Sequence, residues 1–177
     1  MKELSRSSFL KTSGLVIAGC AITPLSAKSV FFDNEFNSVS NDLFSLEEIK
    51  EFVFAAHSDF EKTKRIIEDK PLILNCTNQA QRGDFETAIG GAAHMGRKDI
   101  ADLLLSKGAV MDIFSMTFFG HIEMVKQLIG LNPQLLNAPG PHGFTLLHHA
   151  KMGKHKEFES WLIEKGLVVD MFKDFFK

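Results

Sequence analysis

The chain has 177 residues, 45% of them apolar and 24% charged, with a formal net charge of -2. That is enough apolar material to bury a core as one domain, which excludes compositional disorder, and no run of Lys or Arg forms the stripe that neutralises phosphates, which argues against nucleic acid as a partner. The 17 Phe, single Trp and absence of Tyr supply rings with almost no polar handles, suited to filling a core rather than to recognition by stacking.

In chain order, residues 1–27 read as an export signal. Lys2, Arg6 and Lys11 precede the apolar run Leu15 to Cys20, and Leu25-Ser26-Ala27 supplies a small-residue end. The run is too short to cross a hydrocarbon layer, which takes ~20 apolar residues. The string S-R-S-S-F-L-K from Ser5 to Lys11 resembles the twin-arginine export motif with Ser7 at the second arginine position, so the twin-arginine and general secretory routes both stay open. Ile17-Ala18-Gly19-Cys20 resembles a lipobox, which implies acylation of Cys20; cleavage after Ala27 is the alternative. The expected location is the periplasm or cell envelope, free or lipid-anchored. Residues 1–27 hold three basic and one acidic side chain, so the remainder carries 17 basic and 21 acidic ones, a net charge of -4. Residues 28–44 lack sustained periodicity and read as a tether. The second cysteine, Cys76, has no partner for a disulfide framework and reads as an inert thiol.

From Ser45 onward the chain resembles itself. Ser45-Leu46-Glu47-Glu48 is a capping box that predicts the start of a first helix. P-L-I-L-N at 71–75 matches P-Q-L-L-N at 133–137, an offset of 62, and the same offset relates Ser58 to Gly120 and Glu61 to Glu123. The stretch Gly91 to Asp112 pairs with His149 to Asp170, each holding an alanine, a glycine turn, an apolar helix and K-G-x-V-x-D. With Ser58, Gly96, Gly120 and Gly153 as a turn column, the spacings are 38, 24 and 33. Apolar residues at i, i+3 and i+4, such as Ile100, Leu103 and Leu104, then Val125, Leu128 and Ile129, predict helices after each turn.

The motif T-L-L-H-H-A-K-M-G, Thr145 to Gly153, with Gly143-Phe144-Thr145 leading in, resembles the ankyrin signature T-P-L-H-x-A-x-x-G, and Leu146 stands where that signature has proline. The resemblance covers residues 45–170. It implies an all-α solenoid of about four helical-hairpin repeats, one of them, between Asp112 and Gly120, with its hairpin finger missing. The stretch Asn75 to Asp84 is expected to be a long loop. The tail 171–177 is expected to cap the last unit through Met171 with Phe175 and Phe172 with Phe176.

The resemblance also implies a function, namely capture of one unidentified protein partner on a concave face, by a monomer with no enzymatic activity. The positions before the turn column would line that face: His57, His94 with Met95, Phe118 with Phe119, and Lys151 with Met152. The alternative for Phe118 and Phe119 is that they fill the space left by the missing finger. Loop candidates are Gln79, Gln81 and Arg82, and Pro141, His142 and Phe144. His148, at the signature position, would hydrogen-bond between adjacent fingers. The chain holds no G-x-S-x-G elbow, phosphate loop or G-x-G-x-x-G, so no catalytic residue and no cofactor is expected. No H-x-x-x-H pair with a carboxylate at helical spacing occurs among the seven histidines, so no metal site is expected either. The rival reading is a metal-binding or hydrolytic envelope protein built around His94, His121 and His149. Mass measurement of the mature N-terminus decides between acylation at Cys20 and cleavage after Ala27.

Overall fold

The structure, a computed structural model, describes residues 44–173 and 175. The expected export signal, the lipobox at Cys20 and nearly all of the tether lie outside the described residues. Among these, no helix is long and apolar enough to cross a membrane.

The first helix, α1 (Leu46–Ala56), starts where the capping box places it: the Glu48 N–H donates to Ser45 Oγ (3.2 Å), and the Ser45 N–H donates back to Glu48 Oε2 (2.8 Å). The hydrogen bond from Lys70, followed by those from Ser45, holds the Glu48 carboxyl at a pKa of about 2. Helix α2 (Phe60–Asp69) is capped by Asp59 and runs into a single 3-10 turn, Pro71–Asn75. Helices α3 (Ala88–His94) and α4 (Lys98–Ser106) form the next pair, then α5 (Ile113–Phe118) with α6 (Ile122–Leu131), and α7 (Leu146–Met152) with α8 (Lys156–Glu164). The repeated P-x-L/I-L-N strings adopt the same 3-10 turn in both places, 71–75 and 133–137, each with proline in its first turn, where the missing N–H is not needed. Helices α1, α3, α5 and α7 pack in a row.

An all-α solenoid is not what the chain builds. The residues read as a long loop, Asn75 to Asp84, instead hold the first strand and the turn of an antiparallel hairpin, β1 (Thr77–Gln81) and β2 (Asp84–Thr87), paired Thr77 to Thr87, Asn78 to Glu86 and Gln79 to Phe85, with a register shift between Gln79 and Gln81. The physical reason this hairpin escapes a hydropathy reading is that its alternation is inverted. Asn78, Asp84 and Glu86 point inward and are buried, whereas Phe85 is 57% exposed. Polar-in, apolar-out strands are stable only against a polar interior. In the tail, Met171 bridges Phe144 and the Phe172 N–H donates to the Gly143 carbonyl (2.9 Å). Phe172 does pack on the last helices' core.

The turn column divides as well. Gly96 and Gly120 have positive φ (69° and 80°), but Gly153 does not, and the left-handed residue of that turn is Lys154 (φ 61°). Alanine lines the approach of the inner helices, with Ala56, Ala92, Ala93 and Ala150 fully buried. Two apolar clusters result. One joins α1 to α4 around Phe52, Ile73, Ile100 and Leu104, and the other joins α5 to α8 around Phe114, Val125, Phe158 and Leu162.

Leu104 is fully buried in the first cluster, so Leu104→Ala is expected to lower unfolding free energy by ~2 to 5 kcal/mol, read from urea denaturation. His149 is fully buried, donates from Nδ1 to the Thr145 carbonyl (2.8 Å), and has its pKa pushed down to about 4 by burial. The unfolded chain therefore binds a proton at this position that the fold rejects between about pH 6.5 and 4. Stability is expected to fall as pH drops through that window, and His149→Gln is expected to flatten the slope by up to ~1.4 kcal/mol per pH unit in thermal melts.

Candidate metal centre

Four elements meet at the inward face of the hairpin. His57 is the C-cap residue of α1, Glu86 lies on β2, His94 is the last residue of α3, and His142 sits in the one-turn segment Pro141–Gly143 ahead of α7. One side-chain donor atom from each lies within 4.8 Å of all the others. His57 Nε2 and His94 Nε2 are 3.1 Å apart; Glu86 Oε1 is 2.8 Å from His94 Nε2; Glu86 Oε2 is 3.4 Å from both His57 Nε2 and His142 Nε2.

The outward nitrogens decide what the inward ones can do. His57 Nδ1 faces the Val53 carbonyl (2.8 Å) and His142 Nδ1 faces Asp84 Oδ2 (2.8 Å), and since both partners only accept, both Nδ1 atoms carry hydrogen. In their neutral forms His57 and His142 then turn Nε2 lone pairs toward Glu86 Oε2, and that of His57 also accepts from His94 Nε2–H (3.1 Å). A carboxylate oxygen facing two lone pairs is repelled unless a positive charge stands between them. Glu86 Oε1 and His94 Nδ1 are both buried and make no hydrogen bond. The short approach of Glu86 Oε1 to His94 Nε2 is thus a contact without hydrogen-bond alignment, and the distance alone does not satisfy the oxygen. Burial opposes charge on His142, but the Asp84 hydrogen bond and the Glu86 charge outweigh it and raise its pKa.

Local sequence explains the placement. Gly91, in α3, leaves room for the His57 ring; a Cβ there would lie 2.8 Å from His57 Cε1. His142 has φ 57°, a left-handed backbone stabilised between Pro141 and Gly143. Phe144 lies between two imidazoles, stacked on His94 (centroids 5.1 Å apart) and on His148 (4.1 Å). His148 Nε2 donates to the His94 carbonyl (2.8 Å), tying α7 to the end of α3 rather than joining two fingers.

The residues expected along a concave face separate into distinct environments. His57, His94 and His142 converge on Glu86, and Phe144 packs beside them. Met95, Gln79, Gln81 and Arg82 are exposed. Phe118 is buried in the first core cluster, with Phe119 and Met152 packed against that cluster, and Lys151 is paired with Asp170 (2.7 Å). The rival histidine set does not assemble: His149 is buried against Phe114, and His121 lies beside Phe119, both away from His94's partners. Cys76 is a free, half-buried thiol whose pKa is pushed up by burial, and it takes no part. Glu86 and Asp84 are the functional candidates that sequence spacing missed. The one available signal was two acidic residues alternating on a strand whose intervening residue is Phe.

No family model matches the chain, and no curated protein matches it significantly.

Gly91→Ala is expected to displace the His57 ring while leaving both apolar clusters intact, which a shift of the His57 imidazole signals in NMR spectra, with little change elsewhere, would register.

Proposed function

We propose that residues 44–173 form a module that binds one divalent transition-metal ion through His57, Glu86, His94 and His142. The observation that carries this reading is the convergence, from four separate elements, of three imidazoles and one buried carboxylate that has an oxygen without a hydrogen bond. Around a tetrahedral zinc with bonds of ~2.0 to 2.1 Å, ligand atoms sit ~3.4 Å apart. Three of the separations here, 3.1, 3.4 and 3.4 Å, approach that edge. Nitrogen-rich donors with one carboxylate suit zinc, cobalt, nickel or copper and disfavour magnesium and calcium, which take oxygen ligands. Four protein ligands close a tetrahedral shell, so the role we assign is a structural clip that fastens the hairpin and the 138–144 segment to α1 and α3, without catalysis.

A second reading, capture of a protein partner, is favoured by three exposed apolar side chains that adjoin the ligands: Phe54, stacked on His57, Phe85, next to Glu86, and Met95, next to His94. The two readings are compatible, because a clipped hairpin presents Phe85 in a fixed position.

Dialysed protein is expected to retain or take up one equivalent of zinc in elemental analysis, and the loaded form to gain ~4 kcal/mol of stability at a free zinc concentration ~1,000 times Kd. Absence of stoichiometric uptake would remove the metal reading. Glu86→Gln, which removes the carboxylate ligand, is expected to abolish tight binding, read as loss of stoichiometric zinc in the same elemental analysis. Capture is tested with Phe54→Ala combined with Met95→Ala, which is expected to abolish partner retention with no fall in melting temperature.

A further inference from the structure

Resting on the metal reading, we propose that Asp84 is the positioning residue that makes His142 a ligand and completes the charge balance of the site. Asp84 is fully buried at the start of β2. Its two oxygens are spent on a single residue: Oδ1 accepts the His142 backbone N–H (2.9 Å) and Oδ2 accepts His142 Nδ1–H (2.8 Å). Gripping main chain and ring together fixes the ring plane relative to a backbone already set in the left-handed region, and it fixes the tautomer, leaving Nε2 unprotonated and aimed at Glu86.

The 138–144 segment has main-chain anchors besides Asp84. Gly140 N–H donates to the Phe144 carbonyl (2.9 Å), Gly143 N–H to the Gly140 carbonyl (2.9 Å), and Phe172 N–H to the Gly143 carbonyl (2.9 Å), while Thr145 is held by the Asp170 and Val169 carbonyls (3.0 and 2.7 Å). With the loop anchored on its other side, what remains for Asp84 to set is the imidazole. A carboxylate hydrogen-bonded to a histidine's distal nitrogen raises the ligand's basicity and orients it, and losing such a partner costs roughly 10- to 100-fold in metal affinity. Asp84 also contributes charge. Three neutral imidazoles with the Glu86 and Asp84 carboxylates sum to -2, which a divalent cation cancels in a site where both carboxylates are withdrawn from water.

The test is competitive zinc titration against a chromophoric chelator, with cobalt absorption spectra, on wild-type protein, Asp84→Asn, His142→Ala and the double variant. Asp84→Asn, which removes the charge and leaves one acceptor oxygen where there were two, is expected to weaken zinc roughly 10- to 100-fold and to shift the cobalt d–d bands. In the His142→Ala background the same substitution is expected to cost several-fold less than in wild type, because the ring that Asp84 positions is already gone and only its charge is left to lose. Asp84→Asn binding within twofold of wild type, with wild type binding one equivalent, would overturn this inference and leave the metal reading standing; no binding by wild type would overturn both. The tautomer is read on unsubstituted protein, whatever the variants' folding: nitrogen NMR of the zinc-loaded form is expected to show His142 protonated at Nδ1 and bound through Nε2, and binding through Nδ1 would refute the assignment.

Discussion

A carboxylate taken out of water loses several kcal/mol of hydration that only an opposite charge or a full set of hydrogen bonds can replace. Glu86 is 2% exposed, has one oxygen with no hydrogen bond, and is surrounded by three imidazoles, two of which, His57 and His142, have their distal nitrogens committed elsewhere. Much of the middle of the molecule is arranged around that constraint. Helix α1 ends so that His57 faces the carboxylate, α3 is short enough that His94 closes it at the same depth, and the chain returns from α6 through a left-handed His142 to reach the remaining side.

The hairpin is the clearest consequence. A strand pair with Asn78, Asp84 and Glu86 inward and Phe85 outward has no hydrophobic reason to lie on the helices. Its inward residues instead answer to the histidines, so the register of β1 with β2 is fixed by electrostatics where most sheets rely on apolar burial. A shift of one residue would turn Glu86 and Asp84 to solvent and Phe85 to the imidazoles. Gly91 belongs to the same logic, since the space its missing side chain leaves is occupied by the His57 ring.

The histidines show how one residue type takes different roles under different surroundings. His148 spans α7 to α3 through a backbone carbonyl, and burial holds its pKa below the ordinary value. His149, its neighbour on the next face of α7, is sealed in the second apolar cluster as a neutral ring beside Phe114. His155 donates to the Phe118 carbonyl and links α8 to α5. His57, His94 and His142 are the ones whose donor nitrogens are turned toward a common centre.

Local rules written in the sequence determined much of this protein. The capping box at Ser45, the i, i+4 apolar stripes of the outer helices, the alanine-lined inner helices and the twin P-x-L/I-L-N turns all depend on residues close together in the chain, and each is visible without coordinates. Tertiary structure alone decided the hairpin and the site. Glu86 and His94 are eight residues apart, but His57 and His142 are 85 apart, and no helical or strand period connects such positions. A metal-ligand pattern can be read from spacing when one helix or loop carries several ligands; here each ligand rides on a different element, so their meeting is a property of how the elements pack, and the polar-inward strand that completes it looks like a loop until the imidazoles it faces are in place.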